Sequence, residues 1–103
     1  MLRHVALFTW APEATPEQKE AVAAELRKLP GLIPELRRYE VGPDAGINPG
    51  NFDFAVVADF DDREAYQAYR DHPVHRAIID KLIAPIAGKR AAVQYETGGF
   101  SVS

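Results

Sequence analysis

At 103 residues the chain has room for one domain with a modest core, and an apolar content of 47% leaves surface to spare for an interface between copies. Twelve basic against fifteen acidic residues, with no basic run, exclude the electrostatic footprint that nucleic-acid binding requires. The absence of cysteine excludes disulfides, thiol catalysis and thiolate metal sites and fits a cytoplasmic location, and no stretch approaches the roughly 18 apolar residues of a membrane span.

The opening segment LRHVALFTW (2–10) is β-branched, aromatic and apolar at consecutive positions. It predicts a strand covered on both faces, and it is interrupted too soon to serve as a secretory signal. A helix comes next, with Thr15 as N-cap, Pro16 at the first helical position and Glu17 complementing the dipole. Val22, Leu26 and Leu29 recur at i, i+4, i+7 as its apolar stripe, and Pro30-Gly31 is a stop signal.

ELRRYEVGPDAG (35–46) predicts a second strand running into a turn at Gly42-Pro43. The polar DAGINPGN (44–51) reads as a hairpin connection to FDFAVVADF (52–60), again a strand apolar on both faces. DDREAYQAYRDH (61–72) predicts a helix capped by Asp61 or Asp62, with Tyr66 and Tyr69 at i, i+3. Pro73 cannot continue that helix but suits the start of a new one, PVHRAIIDKLIAPIA (73–87). KRAAVQYE (89–96) predicts the last strand, and 97–103 a short polar tail.

The order β-α-β-β-α(α)-β over residues 1–103 predicts a single α+β domain, a ferredoxin-like antiparallel four-stranded sheet with helices on one face. Helices can cover only one side of strands that are apolar on both. The other side calls for a homodimer in which two sheets pack face to face.

YRDHPVH (69–75) holds the candidate chemistry. Counted along the last helix, His75, Ile79, Leu82 and Ile86 form one stripe that faces the sheet. His4 alternates with Ala6 and Phe8 on the first strand and enters the same layer. A phenol (Tyr69) and a neutral imidazole (His75) in an apolar pocket form an acid–base pair able to abstract a proton beside a carbonyl, with no cofactor. The competing readings are structural: His75 as a satisfied core residue, His72 as a helix-terminal residue bonded to backbone, Tyr66 as core. A metal site from Asp71, His72 and His75 is disfavoured, because histidines three apart across a proline break are not the i, i+4 pair of zinc helices. No metal is expected.

RHVALFTW, TPEQKEAV and above all YRDHPVH resemble the stress-responsive dimeric α/β-barrel (Dabb) family, over nearly the whole chain. The resemblance implies a dimer whose two sheets close into a barrel. Within the family the chain is similar to polyketide cyclases of the olivetolic acid cyclase type, in which the catalytic tyrosine and histidine fall on Tyr69 and His75 and a pocket histidine on His4. An aspartate that orients the catalytic histidine there is replaced here by Gln94. The implied function is cofactor-independent cyclisation, isomerisation or lyase chemistry on a mostly apolar carbonyl compound held by His4, Ala6, Phe8, Leu26, Val56, Ile79 and Gln94. The alternatives are a stress-responsive or ligand-binding homodimer without turnover and a heme-free oxygenase, from which the His-Pro-Val-His segment points away.

Overall fold

Four strands make the sheet: β1 (Leu2–Trp10), β2 (Arg38–Pro43), β3 (Phe54–Phe60) and β4 (Ala87–Glu96). They pair antiparallel in the spatial order β2-β3-β1-β4 in the computed structural model, which describes residues 1–98. The helices α1 (Pro16–Leu26), α2 (Arg63–Asp71) and α3 (Pro73–Ile78) complete a ferredoxin-like α+β fold. The expected tail falls largely outside the described residues; of it, Thr97 donates its N–H to the Met1 carbonyl and extends the pairing of β1 with β4.

Local chemistry accounts for the helix boundaries. Thr15 closes a capping box: its hydroxyl accepts from the Gln18 N–H, and the Gln18 side chain accepts from the Thr15 N–H at 2.8 Å. Asp62, not Asp61, caps α2, accepting from the Ala65 N–H at 2.8 Å. Asp61 is instead engaged by the Arg37 guanidinium. The first helix ends at Leu26, and Pro30-Gly31 belongs to a separate 3-10 turn, Leu29–Gly31, that still buries Leu29.

Register decides which side chains meet. His4 pairs with Ala58 on β3 and Gln94 on β4, Ala6 with Val56 and Ala92, and Phe8 with Phe54 and Arg90. Because alternate residues share a face, these side chains all point to the helix side of the sheet; those of β1 and β3 are covered there, whereas Arg90, Ala92 and Gln94 on the edge strand β4 stay exposed. There Phe8, Phe54, Val56, Ala58 and Phe60 pack on Val22, Leu26, Leu29 and Ile33 as one buried core.

The opposite face carries Val5, Leu7, Ala55, Val57, Ala91 and Val93 and has no helix over it. Val93 is 53% exposed and Tyr95 45%. The Arg3 guanidinium donates to the buried Asp59 carboxylate at 2.7 and 2.9 Å beside this apolar stripe. The stripe is the covered-on-both-faces pattern of β1 and β3 seen with one cover in place.

The segment expected as one helix over 73–87 is divided. α3 gives way to a π-helical turn, Ile79–Ile83, closed by the Ala84 N–H donating to the Ile79 carbonyl at 2.8 Å, and β4 starts at Ala87. A π turn takes up one residue more than an α turn, so the stripe slips. Leu82 leaves it for the groove against α1, and Ile83 takes the inward place.

Candidate active site

His72 redirects the chain. It is at once the C-cap of α2 and the N-cap of α3, in extended backbone conformation, and its Nδ1 accepts from the Val74 N–H at 3.2 Å. Pro73 stands at the first position of α3, where a missing N–H costs nothing. The bend turns Tyr69, the buried residue of α2, and His75, in the first turn of α3, onto each other with ring centroids 4.2 Å apart.

The His75 Nδ1 lies 3.0 Å from the Arg70 carbonyl oxygen. A carbonyl only accepts, so the ring proton sits on Nδ1 and the lone pair on Nε2. Burial holds the pKa of His75 below its ordinary value, keeping the ring a neutral base. Burial also raises the Tyr69 phenol far above its ordinary value, with smaller contributions from Tyr39, so it remains a protonated donor. Its hydroxyl meets that of Tyr39 at 3.4 Å, a long contact that leaves its hydrogen largely uncommitted. The Tyr39 phenol is itself pushed up to about 12, chiefly by burial.

His4 stands 5.0 Å from the Tyr66 ring and 6.3 Å from the Tyr69 ring, centroid to centroid. Desolvation, then the proximity of His75, lowers its pKa. The Gln94 amide nitrogen lies 2.8 Å from His4 Nδ1. An amide N–H donates, so His4 accepts at Nδ1 and carries its proton on Nε2. The two histidines thus hold opposite tautomers: His75 offers an acceptor and His4 a donor.

Tyr69, His75, His4, Ala6, Phe8, Leu26, Val56 and Ile79 line a single cavity of about 300 Å³ between sheet and helices. Gln94 does not. It corrects the expected arrangement, since its side chain bonds His4, its register neighbour across β1 and β4, and the catalytic candidate His75 is held instead by the Arg70 carbonyl. The cavity also takes in Tyr66, Ile83 and Arg90, which the expected lining did not include. Tyr66 shares the inner face of α2 with Tyr69, and Ile83 reaches the cavity through the π turn. Arg90 arrives by alternation along β4 from Gln94 through Ala92.

No helix among the described residues is long and apolar enough to cross a membrane. Among solved structures, a dimeric ferredoxin-like protein of unknown function from Thermobifida fusca is 50% identical, with a TM-score of 0.87 over 93% of this chain and 90% of that one. A hydroxynitrile lyase from Passiflora edulis superposes with a TM-score of 0.84 over 98% of this chain and 96% of its own; at 16% identity the likeness is one of fold. The uncharacterized protein SCO4036 of Streptomyces coelicolor is 32% identical over 79 residues, covering 75% of this chain and 81% of its own length. The profile of the stress responsive A/B barrel domain matches residues 2–97. The chain therefore belongs to the Dabb, or stress responsive A/B barrel, domain family.

Proposed function

We propose that the cavity is the active site of a small cofactor-independent enzyme acting on a mostly apolar carbonyl compound, by cyclisation, isomerisation or lyase chemistry. The observation that carries this reading is the meeting of the Tyr69 and His75 rings, 4.2 Å apart, on the wall of a largely aliphatic cavity. His75 Nε2 takes the proton from the carbon beside a carbonyl. The electron pair of that C–H bond moves into an enolate whose oxygen accepts a hydrogen bond from the Tyr69 hydroxyl. The enolate carbon then attacks a second carbonyl of the same substrate, whose oxygen takes the proton back from His75; in an isomerisation His75 returns that proton to a different carbon, and in a lyase reaction the pair expels a leaving group that departs with it. His4, with its proton on Nε2, holds a further substrate oxygen. The lyase from Passiflora edulis speaks for the scaffold and not for the choice among these reactions.

The protein acts as a homodimer in this reading, its uncovered sheet face packed on that of a second copy. The Thermobifida fusca relative is dimeric, and the stripe from Val5 to Val93 is apolar and without a helical cover. A turnover screen on polyketide thioesters, comparing wild type with His75→Ala and Tyr69→Phe, tests the catalytic assignment. Turnover retained in full by both variants refutes it, and absence of any turnover leaves a ligand-binding homodimer.

A further inference from the structure

The cavity is apolar except at its two ends. Tyr69, His75 and His4 gather at one of them. At the other stands Arg90, the one lining side chain that carries a formal charge at neutral pH. Register measures the separation. His4 is opposite Gln94 and Phe8 is opposite Arg90, so Arg90 is four residues along β4 from the His4 level, about 13 Å of strand. Between them lie Ala6 and Ala92, whose small side chains leave room for a ligand body.

Arg90 is exposed at the edge strand, so it stands where the cavity opens to solvent, and among the described residues its guanidinium makes neither an ion pair nor a side-chain hydrogen bond; Arg27, Arg63 and Arg76 are likewise unpaired but do not line the cavity. The chain carries a net charge of −3, so its general field repels anions and any capture of one needs a local cation. The histidines do not supply it, because both are held towards the neutral form by burial.

Resting on the reading of this cavity as the ligand site, we infer that Arg90 is an anion-binding residue and that the ligand is an amphipathic monocarboxylate. Its carboxylate is held by the guanidinium, and its carbonyl end lies between Tyr69, His75 and His4. A guanidinium presents a planar fork of donors that a carboxylate matches with two parallel hydrogen bonds. One cation balances one carboxylate. A phosphate monoester carries nearly twice that charge at neutral pH and would need further cations that the lining lacks.

Calorimetric titration of the full chain with octanoate, octanamide and octyl phosphate tests the assignment without requiring turnover. Octanoate is expected to bind about tenfold more tightly than octanamide, as one charge-assisted interaction implies, and more tightly than octyl phosphate. Arg90→Gln is expected to abolish the preference for octanoate, and an unchanged circular dichroism spectrum reports that the variant is folded. Lys89→Gln, on the opposite face of β4, keeps the preference. The inference is overturned if octanoate and octanamide bind wild type equally, if Arg90→Gln retains the preference, if octyl phosphate binds best, or if none of the probes binds. A Tyr69→Phe, His75→Ala double variant separates the two ideas: it is expected to keep the octanoate preference, so a failed turnover screen with the preference intact refutes the reaction and not the role of Arg90.

Discussion

The imidazole of His75 and the phenol of Tyr69 meet with centroids 4.2 Å apart, their planes tilted by 36°, although a proline ends one helix and opens the next between them. Neither helix alone brings them together; the extended backbone of His72 does. If they act as one acid–base unit, Tyr69→Phe and His75→Ala each lower kcat/KM by about 10²- to 10⁴-fold, and the double variant is little worse than the poorer single. Steady-state kinetics on any thioester that the screen finds turned over provides the measurement, and additive losses would show two independent groups.

If His75 is the base, the rate depends on pH through it. Its lone pair on Nε2 is available only when the ring is neutral, and burial lowers its pKa below 6.5. The expected kcat/KM is flat from pH 7 upward and declines on acidification with a midpoint below 6.5. A midpoint above 6.5 contradicts the assignment of His75 as the base.

Stability should depend on the same residues. His4 and His75 have folded-state pKa values below 6.5, the ordinary value that their rings regain on unfolding. Between those values the unfolded chain binds more protons than the folded one, so stability falls as pH drops from about 6.5 towards the depressed pKa values. Above that window neither ring contributes. Urea midpoints at pH 7.5 and 5.5 are expected to differ, and to differ less in His75→Gln.

The bond between Gln94 and His4 fixes a tautomer, and substitution should release it. In Gln94→Leu the preference for a proton on Nε2 weakens, and in Gln94→Glu a carboxylate draws the proton to Nδ1 and raises the pKa of His4. Imidazole ¹⁵N shifts tracked through a pH titration distinguish these states. Identical His4 shifts in all three proteins would show that the amide does not orient the ring.

Val93 lies 53% exposed on the uncovered sheet face, so its replacement leaves the fold of one protomer nearly untouched. A carboxylate there would be desolvated on pairing of two sheets. Val93→Asp is expected to weaken self-association about 100-fold or more with an unchanged circular dichroism spectrum, as read by sedimentation equilibrium. A dimer of undiminished affinity would place the interface elsewhere.

The features legible in the sequence were those that depend on neighbours along the chain. The β1 run, the Thr15 cap, the break at Pro73 and the helix-terminal role of His72 all rest on interactions within a few residues. The ferredoxin-like order came from them. The π turn was hidden, because a shift of the backbone bonding by one residue, seen at its end in the bond from Ala84 to Ile79, makes it and no residue type announces that shift; it moved the inward place from Leu82 to Ile83. The partner of Gln94 was hidden for a different reason: it depends on the register of β4 against β1, some 90 residues apart in sequence. Arg90 is legible in principle, since period two carries an inward Gln94 through Ala92 to it.

The π turn has an evolutionary consequence. Residues 79–83 hold one amino acid more than an ordinary helix needs, so loss of a single codon there can be absorbed by tightening the turn rather than by unfolding it. Ile83 and the chain after it would keep their facing, because an α turn one residue shorter returns them to the inward place that the π turn gives them now. Tyr69, His72 and His75 all precede the turn and would keep their mutual geometry. Lineages descended from such a chain can therefore lose a residue at this one point and keep both the wall that Ile83 gives the cavity and the pairing of Tyr69 with His75 as inherited.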